Sequence, residues 1–249
     1  MNGAQNFLMV SNDTDTVARF MYHFGTLKSK GIKSLWIQYG TGENLRYLPI
    51  HKIHNILGDS MCRSILKAHI LTGDDSLSKI GTKHAALVSD PVKHLSVFGE
   101  ADEICHAEMW LAEEYLVKVW AGARCKVTSK TFDSLRLTEY TSSKEAKSLD
   151  SLPPTSSSVY SHIKRGHHII RNVANLLSDY IETDPTLKGW YCENDILLPD
   201  MNLKPLPHNI TVQCNCDGKC FNKRCACNKE GQLCTIFCHK NCTPKCENK

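Results

Sequence analysis

Nine of the chain's thirteen cysteines fall between positions 214 and 246. They run Cys214-x-Cys216, Cys220, Cys225-x-Cys227, then Cys234, Cys238, Cys242 and Cys246 at every fourth position. An odd number leaves one thiol outside any disulfide set. Neighbours in C-x-C are also poorly placed to bridge to each other. Thiolates are preferred structural ligands of Zn²⁺, which they bind tetrahedrally. Three such ions require about twelve ligand positions, and nine thiolates supply them if three sulfurs bridge. The segment has few apolar residues, so metal binding would supply its folding energy. The opening MNGAQNFLMVSNDTD lacks the basic stretch of a secretory signal, so stable disulfides are not expected.

The net charge of +4 also belongs to this tail. From Pro205 onward there are seven Lys/Arg against three Asp/Glu, and the rest of the chain balances at 23 against 23. Nine thiolates and three Zn²⁺ would lower the tail to about +1. The remaining basic signal is local, in Lys219, Lys223 and Arg224, which could meet the phosphates of nucleic acid.

A second group of residues could do metal chemistry. The apolar stretch Phe7–Val10 runs into Ser11-x-Asp13-x-Asp15. Two carboxylates at the end of a strand sit where α/β proteins collect ligands, and oxygen donors suit Mg²⁺ or Mn²⁺. Helix capping by either aspartate is the plainer use. Farther on, LTGDDSLSKIGTKHAAL reads as helix, turn and helix. There the backbone N–H groups around Gly81 and Thr82, followed by Lys83, would form a phosphate-binding corner.

The elements that must position these groups are α/β in pattern. Strands are expected at Phe7–Val10, at SLWIQY (34–39) and at RYLPI (46–50). A helix follows the first strand, with Val17, Phe20, Met21 and Phe24 on one face and Gly31 as a stop. Further helices are expected over 51–71 and 102–121. TSSKEAKSLDSLPPTSSS is polar and turn-rich and reads as a linker. After it, Ile163, Ile170, Val173, Leu177 and Tyr180 share a helical face. No segment offers the roughly 18 unbroken apolar residues of a membrane span.

Lesser features have plain readings. Lys164, Arg165, His167, His168 and Arg171 read as a solvated helix face. Glu100, Asp102 and Glu103 read as acids serving a helix N-terminus. Cys62, Cys105, Cys125 and Cys192 read mostly as buried thiols. The four tryptophans are not interleaved with basic residues, so no single-strand stacking platform is expected.

Two resemblances extend this reading. The stretch CNCDGKCFNKRCAC, continuing to Cys246, resembles the tesmin-like CXC domain, a zinc-cluster DNA-binding module. That resemblance implies zinc on Cys214, Cys216, Cys220, Cys225, Cys227, Cys234, Cys238, Cys242 and Cys246, and a nuclear location. The family's late C-x-C is absent, since position 240 is Lys, which leaves His239 as a substitute ligand. Arg224 stands where the family often has a minor-groove tyrosine, and arginine also enters narrow minor grooves. The order strand, S-x-D-x-D, helix, G-x-D and I-G-x-K resembles the PIN-like domain of flap-endonuclease-type nucleases. This implies catalytic metal ligands at Asp13, Asp15 and Asp75, and a backbone grip at Gly81, Thr82 and Lys83. The family's upstream carboxylates have no counterpart, because six residues precede Phe7.

The expected architecture is α/β: a truncated PIN-like domain (1–126), a helical connector with a polar linker (127–204) and a small zinc module (205–249). The expected function is nucleic-acid binding, with DNA as partner, zinc as cofactor and an incomplete nuclease site. Two alternatives stand beside it. One is a Mg²⁺- or Mn²⁺-dependent endonuclease, alone or completed by a protein partner. The other is a protein-interaction scaffold stapled by zinc.

Overall fold

The computed structural model describes residues 5–122, 128–142, 151–179, 182–200, 214, 216, 219–234, 238 and 246–248. The chain begins with strand β1 (Asn6–Val10), which lies parallel to β2 (Ser34–Tyr39). The antiparallel strand β3 (Arg46–Pro49) covers the other edge of β2, so the sheet order is β1-β2-β3. Helix α1 (Thr14–Ser29) makes the connection between the two parallel strands. Alternation decides what β2 buries. Leu35 and Ile37 enter a core with Met21, Phe24, Ile50 and Cys62. Burial there pushes the Cys62 thiol up to about 11.

The helical pattern over 51–71 resolves into two helices, α2 (Ile50–Leu57) and α3 (Asp59–Leu71). Gly58 parts them at φ +79, where side chains strain and glycine does not. Two short helices follow, α4 (Lys83–Val88) and α5 (Pro91–Leu95). Helix α6 (His106–Ala121) starts four residues later than the periodicity suggests. Its first turn is closed by a capping box, in which the Glu108 carboxylate accepts from the Cys105 N–H. The preceding acids therefore serve elsewhere. Glu100 accepts from Lys67, Asp102 from Arg171 and Glu103 from Lys188.

Helices α7 (Phe132–Ser142) and α8 (Ser156–Ala174) complete the main core. Phe132, Leu135, Val159, Ile163, Ile170 and Val173 join Leu66, Leu71, Leu95, Phe98, Tyr115 and Leu116 in one apolar cluster. The stretch read as a connector thus shares its packing with the region before it. Glu113 ties the three helices of that junction together, accepting from the Phe132 N–H (2.9 Å) and the Ser156 hydroxyl (2.5 Å).

Of the basic side chains on α8, Lys164 is exposed and Arg171 half-buried, but the other three are not a solvated face. Arg165, His167 and His168 are at most 4% exposed. Arg165 donates to the carbonyls of Gly189 (3.0 Å) and Asp200 (2.9 Å). Those carbonyls bracket an antiparallel hairpin, β4 (Trp190–Glu193) and β5 (Ile196–Pro199). Its turn places Asn194 and Asp195 at φ +51 and +61, as tight hairpins with the right strand twist require. Among the described residues no helix is long and apolar enough to cross a membrane.

Candidate metal centre

The tail is organised around its sulfurs. Cys214, Cys220, Cys225, Cys227, Cys234, Cys238 and Cys246 are buried, and they pack on one another rather than on an aliphatic core. Two quartets bring four Sγ atoms within 4.8 Å of each other. One is Cys214, Cys227, Cys234 and Cys238; the other is Cys214, Cys220, Cys225 and Cys234. The Sγ–Sγ distances are 4.0 Å for Cys214–Cys220, 3.8 Å for Cys214–Cys234, 3.6 Å for Cys225–Cys234 and 3.5 Å for Cys227–Cys238. A disulfide would bring them to about 2.0 Å. Four thiolates at about 2.3 Å from a tetrahedral ion stand about 3.8 Å apart. The sulfurs have the metal spacing.

The two quartets share Cys214 and Cys234, so these two sulfurs are placed to bridge. Cys216 contacts Cys214 and Cys220, and Cys246 lies beside Cys234. His239 and Cys242 lie outside the described residues.

Local structure explains how so small a segment aims so many sulfurs. Helix α9 (Ala226–Lys229) begins right after Cys225 and turns Cys227 inward. Gly231, at φ +67, reverses the chain, and the Gln232 N–H returns to the Cys227 carbonyl at 2.8 Å. Cys220 adopts φ +58, a left-handed conformation that costs a side-chain-bearing residue about 1–2 kcal/mol. A glycine there would remove the strain and the ligand together. The C-terminus closes over the cluster: the Cys234 N–H donates to Asn248 O (2.6 Å) and the Glu247 N–H to Lys219 O (2.7 Å).

Burial pushes most of these thiols up, and donors beyond the sulfurs oppose that shift, as outer groups do in metal sites. The Asn248 amide donates to Cys234 Sγ at 3.3 Å. Burial pushes the Cys225 thiol up, but the Asn228 N–H and the sulfurs of Cys214, Cys234 and Cys220 bring it down to about 6. These contacts favour ionisation of Cys225. Cys227, by contrast, is pushed up to about 12 by burial and by Cys238. Metal binding must displace its proton.

One turn of this module faces outward. Phe221, Asn222, Lys223 and Arg224 are all exposed. The Asn222 side chain accepts from the Arg224 N–H (3.0 Å) and fixes the turn. Lys219 is instead paired with Glu247 at 3.2 Å. Lys223 and Arg224 are thus presented together by a ligand-bearing loop.

The acidic residues are placed differently. Asp13 caps α1, accepting from the Asp15 N–H (2.9 Å) and the Thr16 hydroxyl (3.2 Å). The Asp15 N–H is the main cause that holds its carboxyl below the usual range. Asp15 meets His69 Nε2 at 2.5 Å, and Asp75 is exposed. Among the described residues, the only groups of three or more ligand atoms at metal spacing are the two cysteine quartets. The helical-hairpin residues are also occupied. Thr82 caps α4 by accepting from the Ala85 N–H (3.1 Å). Lys83 donates to the carbonyls of His69 (2.7 Å) and Gly73 (2.6 Å), closing the end of α3. Gly81 lies against α6, where a Cβ would come within 2.7 Å of Val119 O.

Some contacts had no sequence signal. Lys52 lies over Trp36, Lys130 over Trp110 and Arg165 over Trp190, each 5.8–5.9 Å from the ring centre. They are far apart along the chain or belong to different elements, so linear interleaving does not show them. Asn248 as a sulfur donor is equally unmarked in sequence. Of the scattered cysteines, Cys62 is buried, Cys105 and Cys192 are exposed, and Cys125 lies outside the described residues.

Comparison with protein-family models, with curated proteins and with solved structures finds no match. The functional argument therefore rests on the sulfur cluster and its surroundings.

Proposed function

We propose that the chain is a nucleic-acid-binding protein whose C-terminal module is folded by zinc and lays Lys223 and Arg224 on a phosphate backbone. The observation that carries this reading is the pair of overlapping cysteine quartets at tetrahedral spacing. An all-sulfur, closed, buried ligand set suits structural Zn²⁺. It leaves no open position for a reacting water, which favours a structural ion over a catalytic one. The ion's work is to hold the Asn222–Arg224 turn rigid, so that two cations reach one backbone without losing freedom on binding. The likeness of CNCDGKCFNKRCAC to the tesmin-like CXC domain points the same way. In the α/β region Asp13, Asp15 and Lys83 already have intramolecular partners, which favours binding over cleavage.

Fluorescence anisotropy on labelled duplex DNA over a salt series tests this. Affinity should fall steeply with salt, and Lys223→Ala with Arg224→Ala should flatten the log–log slope by about 2. Chelation should reproduce the loss. Unchanged affinity and slope in the double variant would remove the tail as a phosphate contact and leave it a protein-interaction staple.

A further inference from the structure

Of the two edge strands of the sheet, β3 carries Arg46 and Pro49, and β1 carries nothing of the kind. Its sequence, NFLMV, carries no charge, no proline and no glycine. It is an edge strand, and all five of its residues are exposed. Phe7 is 42%, Leu8 57%, Met9 41% and Val10 66% open to solvent. Edge strands are normally protected by charge, proline, a bulge or a covering element. None of these is present on β1 among the described residues.

The hydrogen bonding fixes which groups are free. The Gln5 carbonyl accepts from β2, and the Ser11 N–H donates to Gln38 O. With a period of two, residues 7 and 9 also turn their backbone groups to β2. Asn6, Leu8 and Val10 turn theirs outward.

We propose that β1 pairs with β1 of a second copy of this chain, antiparallel about a two-fold axis through Leu8. The outward groups are complementary to themselves in that register. Asn6 meets Val10 of the copy, Leu8 meets Leu8, and Val10 meets Asn6, each a doubly hydrogen-bonded pair of an antiparallel ladder. Side chains agree with the backbone. Phe7 falls opposite Met9 on one face, an aromatic–thioether pairing, and Leu8 falls on itself on the other. No like charges meet anywhere along the strand, which is the usual obstacle to self-pairing. The product is a continuous sheet of six strands, β3-β2-β1-β1-β2-β3, a common size for an open sheet. A heterologous partner would need its own matching edge, whereas a second copy supplies one by symmetry. The contact is one strand edge, at the small end of specific interfaces, so the dimer is reversible.

Light scattering on the full zinc-loaded chain across a dilution series should show the mass rising from 28.0 kDa toward twice that value. Hydrogen exchange should slow at the amides of Asn6, Leu8 and Val10 as the dimer forms, while those of Phe7 and Met9 change little. Leu8→Lys and Leu8→Glu place like charges on the axis, so each variant alone should be monomeric. Mixed, they place opposite charges there and should restore the dimer, which also shows that both are folded. The proposal is overturned by a chain that stays monomeric at every concentration. A dimer that survives in either variant alone, or monomeric variants that fail to pair when mixed, would overturn it equally.

Discussion

Among the described residues, the chain contains cores made by two different chemistries. Around α3, α6 and α8, Leu, Ile, Val and aromatic side chains close over one another, and water exclusion supplies the driving force. Around α9, cysteine sulfurs occupy the interior. There, sulfurs at the spacing of metal ligands stand where apolar side chains would otherwise be, and bonds to an ion would replace apolar area. The apolar core spreads its stability over many contacts, so a single loss is partial. The sulfur core concentrates its stability in a few ligands, so a single loss can be total. The apolar core is also indifferent to chelators and thiol oxidants, to which the sulfur core is sensitive.

The sharpest way to break this contrast is to remove one sulfur. Cys214 and Cys234 belong to both quartets, whereas Cys220 and Cys238 belong to one each. Cys234→Ser should therefore abolish binding of both ions. Cys238→Ser should cost one, as read by metal content in native mass spectrometry and by thiolate–cobalt absorption after Co²⁺ loading. Equal losses from the two variants would show that the quartets do not share a bridge. All four tryptophans precede position 191, so their fluorescence should be unchanged by either variant.

The opposite experiment strikes the apolar core. Leu116→Ala, at a position with 0% exposure, should destabilise the tryptophan-reported unfolding by about 3 kcal/mol. Metal content should be unaltered. A change in metal content would mean that the two cores fold as one unit.

The smallest expected effect is a pH dependence confined to the apolar region. Burial lowers the pKa of His23, His162 and His167. His162 Nε2 stays within 2.9 Å of the Leu71 carbonyl. The unfolded chain takes up protons at these imidazoles below about pH 6.5, and the folded chain resists. Stability is therefore complete above that pH and declines as pH falls toward the lowered folded values. Denaturant midpoints read by tryptophan fluorescence should drop between pH 7.5 and 5.5, and His162→Gln should reduce the drop. A midpoint independent of pH would mean that these imidazoles are as easily protonated in the fold as outside it.

How much was legible in the sequence differs between the two regions. SLWIQY is a strand with the expected bounds, because alternation and β-branched or aromatic residues state it locally. The interrupted helix over 51–71 was hidden, because its apolar spacing continues through Gly58 and only the φ of that residue breaks it. The α8 cations misled for a related reason. Charge in a linear pattern suggests solvent, but Arg165 is satisfied by carbonyls 24 and 35 residues away. The hairpin after it lacks the Asn-Gly turn that would have announced it.

By itself the sequence pointed to the tail as a candidate metal site, since nine thiols in so little apolar material admit few other interiors. It also gave the order strand, helix, strand over β1, α1 and β2, through short-range periodicity, while their parallel pairing came from the structure. Only the tertiary structure decided which sulfurs converge, which two can bridge, and that Asp13, Asp15 and Lys83 are engaged within the fold. The physical reason is range. Periodicity and ligand type act between neighbours in the chain, whereas the pairing of a thiol, a carboxylate or an ammonium depends on what distant segments bring within 3–4 Å of it.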